Sequence, residues 1–144
     1  MTGNPSVAQA ASVSLYLHGA RLDPATVTAL LGLSPTSSHT AGQARTSSGG
    51  VVRTKSGLWA VELQIDATEI AEAFEKLTTA IAASAHRLQS VPELEEGYFD
   101  IFVALPAEAA ATDFTVNLRP GSIAVAAKAG LAVRLTVGVT GRID

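Results

Sequence analysis

The chain has no cysteine, which excludes disulfides, thiolate metal sites and cysteine nucleophiles. Rings are scarce and Trp59 is the single tryptophan. Much of the apolar content is alanine, so any core must rest on aliphatic side chains and a few aromatics. Charge is sparse too. Only 16% of residues are Asp, Glu, Lys or Arg, and the formal net charge of -3 argues against general nucleic-acid binding. No apolar run approaches the roughly 18 residues of a membrane span. Residues 1–11 hold neither Lys nor Arg nor a signal-peptide-like apolar run, so a cytoplasmic location is expected.

What is present suits one α+β domain. At 144 residues the chain is long enough to bury a single core without staples. A flexible tail is expected over 1–11 and one domain over 12–144. Ser12 to His18 alternates, with Val13, Leu15 and Leu17 on one face and Ser14, Tyr16 and His18 on the other, the pattern of a half-buried strand. Residues 22–35 spell out a short capped helix. Asp23 is the N-cap, Pro24 suits the first helical position, and Val27, Leu30 and Leu31 make the apolar stripe. Gly32 ends the helix in a left-handed conformation and Pro35 prevents its resumption.

Residues 34–56 are rich in Ser, Thr and Gly and hold no acidic residue, which predicts a long loop. Ser47-Ser48-Gly49-Gly50 suggests a small hairpin between Gln43–Thr46 and Val51–Thr54. A strand follows over 58–65, with Trp59, Val61, Leu63 and Ile65 inward. Asp66 or Thr68 then caps a helix running to about Gln89, striped by Ile70, Phe74, Leu77, Ile81, Ala85 and Leu88. Tyr98 to Leu105 is apolar on both faces and suits a central strand. Phe114–Leu118 reads as a short strand, Pro120 to about Lys128 as a helix, and Leu131–Val139 as a last strand with Leu131, Val133, Leu135, Val137 and Val139 inward. The predicted fold is α+β in the order β-α-β-α-β-β-α-β: a mostly antiparallel sheet of about five strands with helices packed on one face.

Several of these anchors resemble a family of bacterial proteins known as domain of unknown function 4279. They are Leu22-Asp23-Pro24 after an early strand, Leu31-Gly32-Leu33-Ser34-Pro35, Gly42 in a polar loop, Ser56-Gly57-Leu58-Trp59, and Ala129-Gly130-Leu131 before an alternating strand. The resemblance covers about residues 12–139. Arg119-Pro120-Gly121-Ser122 departs from it, since family members more often start that helix with Ser-Pro. The resemblance implies a fold and no catalytic residues.

Chemistry-bearing patterns are few. His18, His39 and His86 have no metal-ligand spacing, and neither a nucleophile elbow nor a phosphate loop occurs. No cofactor, metal or enzymatic activity is expected. Two groups of residues remain as candidates. Arg45, Arg53 and Lys55, with His39 and the amides around Gly49 and Gly50, would suit a small anionic ligand or nucleotide. Between Leu88 and Leu118 the chain carries Glu93, Glu95, Glu96, Asp100, Glu108 and Asp113 and no Lys or Arg, an asymmetry that steers a basic partner. If helices cover one sheet face only, Tyr16, His18, Glu62, Gln64, Tyr98, Asp100, Phe102 and Arg134 share the open one. The expected interaction surface is therefore Tyr16, Tyr98, Phe102 and Arg134 with Glu93, Glu95 and Glu96. The function that fits is a non-catalytic protein-interaction module of immunity or antitoxin type. The alternative is an anionic-ligand regulator using the loop 39–55. A protein partner is expected first and a homodimer second, with no membrane or nucleic-acid partner.

Overall fold

A computed structural model describes residues 10–42, 44–47, 50–53, 56–106 and 115–140; for 44–47, 50–53, 106 and 140 it describes the backbone alone. Strand β1 (Ala10–Gly19) begins two residues inside the expected tail, because Ala11 is already buried in the sheet. Helix α1 (Pro24–Leu31) is closed at both ends as its sequence dictates. The Asp23 carboxylate accepts from the Ala25 amide at 3.1 Å, and Gly32, at φ 64°, donates to the Thr28 carbonyl at 2.8 Å. Val27 and Leu31 are the buried pair of the stripe.

The polar segment that follows is more ordered than a loop. It holds a three-residue strand β2 (Ser37–His39) and a hairpin of β3 (Ala44–Ser47) with β4 (Gly50–Arg53). The hairpin pairs Ala44 with Arg53 and Ser47 with Gly50, one residue off the expected boundaries. Strand β5 (Gly57–Asp66) then runs back antiparallel to β1.

Asp66 builds a full capping box. Its carboxylate accepts from the Thr68 amide, while Glu69 accepts from the Asp66 amide. The helix it opens is not continuous to Gln89. After a first 3-10 turn come α2 (Ile70–Ile81), a second 3-10 turn over Ala82–Ser84, and α3 (Ala85–Leu88). Two hydroxyls account for the break. Buried Thr78 donates back to the Phe74 and Glu75 carbonyls, which bends a helix, and Ser84 Oγ donates to the Leu30 carbonyl of α1 at 3.0 Å. The six-residue stripe from Ile70 to Leu88 is buried throughout, across the break.

Strand β6 (Glu96–Pro106), helix α4 (Pro120–Lys128) and strand β7 (Ala132–Thr140) complete the chain. The sheet order is β2-β5-β1-β6-β7, antiparallel except for the β6–β7 pair. The middle position belongs to β1, with β6 beside it as an interior strand. Parallel neighbours need a crossover, and α4 supplies it. Of the expected strand Phe114–Leu118, residue 114 lies outside the described residues. Residues 115–119 form no strand: Val116 and Leu118 pack against the core instead of pairing in a sheet.

All helices lie on one face. Helix α2 packs on β1 and β5, α1 leans on β5, and α4 fits beside α2 and α3. An Arg119–Glu75 ion pair joins α4 to α2. Trp59, Phe74, Phe99, Leu15 and Leu17 are fully buried in this layer, and Phe74 meets Phe99 edge-on at 5.0 Å. One expectation fails here. Leu131 is buried, but Val133, Leu135, Val137 and Val139 are exposed. They do point to the helix side, opposite Phe99 to Leu105 of β6. Yet β7 is the sheet edge, and α4 packs mainly against its neighbouring helices.

Candidate interaction face

With the helices on one side, the other side of the sheet carries no helix among the described residues. Strand pairing orders its side chains into rungs, because residues directly opposite share a face. One rung runs Gln64, Ser12, Phe102, Thr136. The next runs Glu62, Ser14, Asp100, Arg134, and the next Ala60, Tyr16, Tyr98, Ala132. The last runs His39, Leu58, His18, Glu96.

The lower two rungs form an aromatic cluster. Tyr16 and Tyr98 stand opposite each other with ring centroids 5.5 Å apart. The His18 ring lies 5.9 Å from Tyr98 and 6.2 Å from Tyr16, nearly parallel to both. The Arg134 guanidinium sits 3.9 Å above the Tyr98 ring, a cation–π contact, and reaches Glu96 at 3.9 Å. Arg134 thus turns toward the rings, and Asp100 beside it on β6 makes no ion pair among the described residues. Phe102 stands one rung beyond Asp100, next to Gly138, and is not part of the cluster.

Carboxylates surround the rings. Glu62 and Asp100 flank Ser14 on the two neighbouring strands. Ser14 is 1% exposed, and its hydroxyl has no hydrogen-bond partner among the described residues. Glu93, Glu95 and Glu96 lie on the turn that enters β6. That turn is pinned to the end of β1: the Glu95 amide donates to the His18 carbonyl at 2.9 Å, and the Glu95 carboxylate accepts from the Ala20 amide at 3.1 Å. Gly19 permits the contact, since a Cβ there would lie 1.9 Å from the Glu93 carbonyl oxygen. Glu95 therefore braces the turn, and Glu93, Glu95 and Glu96 are all exposed. At the other end, where β2 stops short along β5, a groove of about 360 Å³ opens between β5 and α2. It is lined by Glu62, Glu69 and Glu72 against one Lys76, over Leu63 and Ile65.

The expected ligand site is placed differently. His39 sits on β2 rather than in a loop, half-buried, with Nδ1 lacking a hydrogen-bond partner among the described residues. The side chains of Arg45 and Arg53, and Lys55 entirely, lie outside the described residues. Among the described residues no group of three or more His, Asp or Glu side chains converges as a metal site, and no helix is long and apolar enough to cross a membrane. Among the described residues the clear pKa displacement is a lowering at Asp66, which comes from hydrogen bonds donated by the Thr68 amide and hydroxyl and so belongs to the helix cap.

Sequence reasoning missed Ser14 as a buried hydroxyl and the place of His39 on the open face. Alternation placed Ser14 outward, and alternation carries no information about burial on that face. His39 lies in a three-residue strand with no apolar alternation to announce it.

Comparison with curated proteins and with solved structures gives no match. The sequence profile of the family described as Domain of unknown function (DUF4279) matches residues 9–139, from just before β1 to Val139 of β7, and the chain belongs to that family.

Proposed function

We propose that this domain is a non-catalytic protein-interaction module whose open sheet face receives a basic partner, in the manner of an immunity or antitoxin protein masking a toxin. The observation that carries the reading is the Tyr16–His18–Tyr98 cluster set among the carboxylates of Glu62, Asp100 and Glu96. Rings on a rigid sheet give contact area at low entropic cost, and tyrosine and arginine are the side chains that anchor protein interfaces. The carboxylates suit lysine or arginine side chains and repel a phosphate backbone. The acidic groove beside β5 carries the same sign to the far edge.

The test is capture from the native cell with two baits, the wild type and a Tyr16→Ala/Tyr98→Ala variant checked by circular dichroism. A stoichiometric basic protein bound by the first and lost from the second is the expected result. Reversing Glu62, Glu96 and Asp100 to lysine then slows its association by about 10-fold or more at low salt. Equal capture by both baits overturns the reading.

His39 favours a second reading, a regulator that binds a small anionic ligand with the segment 39–55. Its support is the His39 Nδ1, without a hydrogen-bond partner among the described residues, in the strand that precedes a hairpin whose sequence carries Arg45 and Arg53. Arg45→Ala and Arg53→Ala then abolish the rise in melting temperature that an anionic metabolite produces. A metabolite screen without any such rise removes this reading.

A further inference from the structure

The large apolar side chains that stand exposed among the described residues belong to β7 and to α4 beside it. They are Val133 at 39% exposure, Leu135 at 57%, Val137 at 46% and Val139 at 59%, with Ile123 of α4 at 46%. β7 is also a free edge. β6 pairs along one side of it, and among the described residues no strand pairs along the other. Folded proteins blunt such edges with charge, proline or a bulge. β7 has one charge, Arg134, no proline, and an unbroken register with β6 over all nine residues.

We propose that β7 is a homodimer interface: two copies pair their β7 strands antiparallel about a two-fold axis and join their sheets edge to edge. The strand is self-complementary under that operation. With the axis at Thr136, the whole of Ala132–Thr140 pairs with itself. On the helix side Val133 then faces the partner's Val139, and Leu135 faces the partner's Val137, apolar against apolar. On the open side Arg134 faces the partner's Gly138, beside which the Phe102 ring lies, so the two guanidinium groups are kept apart. A foreign strand meets these pairings only by coincidence of sequence, whereas a second copy meets them by symmetry.

The area is also of the right order. The exposed parts of the five side chains amount to roughly 400 Å² per copy, within the range of patches that serve a function. The edge backbone and the α4 flank add to this and bring each copy toward the roughly 800 Å² per partner of a stable interface. The interface leaves the Tyr16–Tyr98 face uncovered, so it stands or falls independently of the proposed function.

The mass of the full-length protein in solution, by analytical ultracentrifugation over a concentration series, is the first measurement. Twice the chain mass is expected. Leu135→Lys replaces a side chain already exposed in the single copy. It is expected to give the chain mass with an unchanged circular dichroism spectrum and a dimer at least about 100-fold weaker, because it buries unpaired charge. Thr136→Cys, introduced into a chain without cysteine, is expected to form a covalent dimer on mild oxidation, since two-fold-related Cβ atoms lie within about 5 Å across a strand pair. Ala83→Cys, on the exposed 3-10 turn, is expected not to. Wild-type protein at the chain mass throughout overturns the proposal, as it would if residues 107–114 or a foreign strand cover β7. So does a dimer that survives Leu135→Lys and is not trapped by Thr136→Cys, which places the contact elsewhere.

Discussion

Replacing Trp59 with alanine tests the core at its largest side chain. The indole is fully buried between α1 and the sheet, and its Nε1–H donates to Thr28 Oγ1 at 3.0 Å. Truncating a buried tryptophan costs about 3–5 kcal/mol through lost burial and the cavity left behind. The hydrogen bond adds little, about 0.5–1.5 kcal/mol, because half-buried Thr28 can hydrate once the indole is gone. A loss near 4 kcal/mol is a large share of the about 5–15 kcal/mol that holds a domain together. For a chain of this size it lowers the melting temperature by roughly 10–15 °C. Trp59 is the only tryptophan, so the variant loses its fluorescence reporter and urea unfolding is followed by far-ultraviolet circular dichroism. A loss below about 1 kcal/mol at unchanged denaturant sensitivity, or a wild-type indole freely quenched by acrylamide, would refute the placement.

Thr28→Val keeps the packing but strands the buried indole N–H, and should cost about 1–2 kcal/mol by the same assay, against no change if the bond is immaterial. Gly19→Ala puts a methyl group against the Glu93 carbonyl and forces the acidic turn off β1; a loss of about 1–3 kcal/mol is expected, with faster amide exchange at Ala20 and Glu95, and unchanged exchange there counts against the clamp. Asp66 titrates below its ordinary value in the folded state because Thr68 donates to its carboxylate. Its contribution is thus present above the unfolded-state pKa and is lost as pH falls through the folded one, so Asp66→Asn should flatten the acid limb of stability against pH; superimposable limbs would contradict this.

Local chemistry was legible in the sequence. Asp23, Pro24 and Gly32 specify where α1 begins and ends within a few bonds of themselves, and Asp66 with Glu69 marks where the second helix begins. Period-two alternation assigned faces correctly, since it depends only on the backbone. It said nothing of neighbours, and the failures cluster there. Val133 to Val139 lie on the helix side as their alternation implies, yet are uncovered because β7 came last in the sheet order. Val116 and Leu118 alternate, yet they pack on the core without joining a strand. The long helix breaks where Ser84 finds a carbonyl of α1, a partner 54 residues away that no window of sequence contains. The open face was legible only conditionally: its residues follow from alternation once the helices are known to share one side, but Arg134 choosing Tyr98 over Asp100 is a matter of packing.

The middle strand of the sheet is also the earliest in the chain. β1 pairs with β5 and β6, and its nearest pairing, Gly19 with Gly57, closes only after α1, β2 and the hairpin have been made. During synthesis Val13, Leu15 and Leu17 therefore emerge well before either partner strand exists, and contacts of such long sequence separation form slowly. A strand that waits is exposed to pairing with other nascent chains. Serine at positions 12 and 14 lowers the hydrophobicity and strand preference of that waiting segment. In the folded sheet the same choice leaves the Ser14 hydroxyl buried without a hydrogen-bond partner among the described residues.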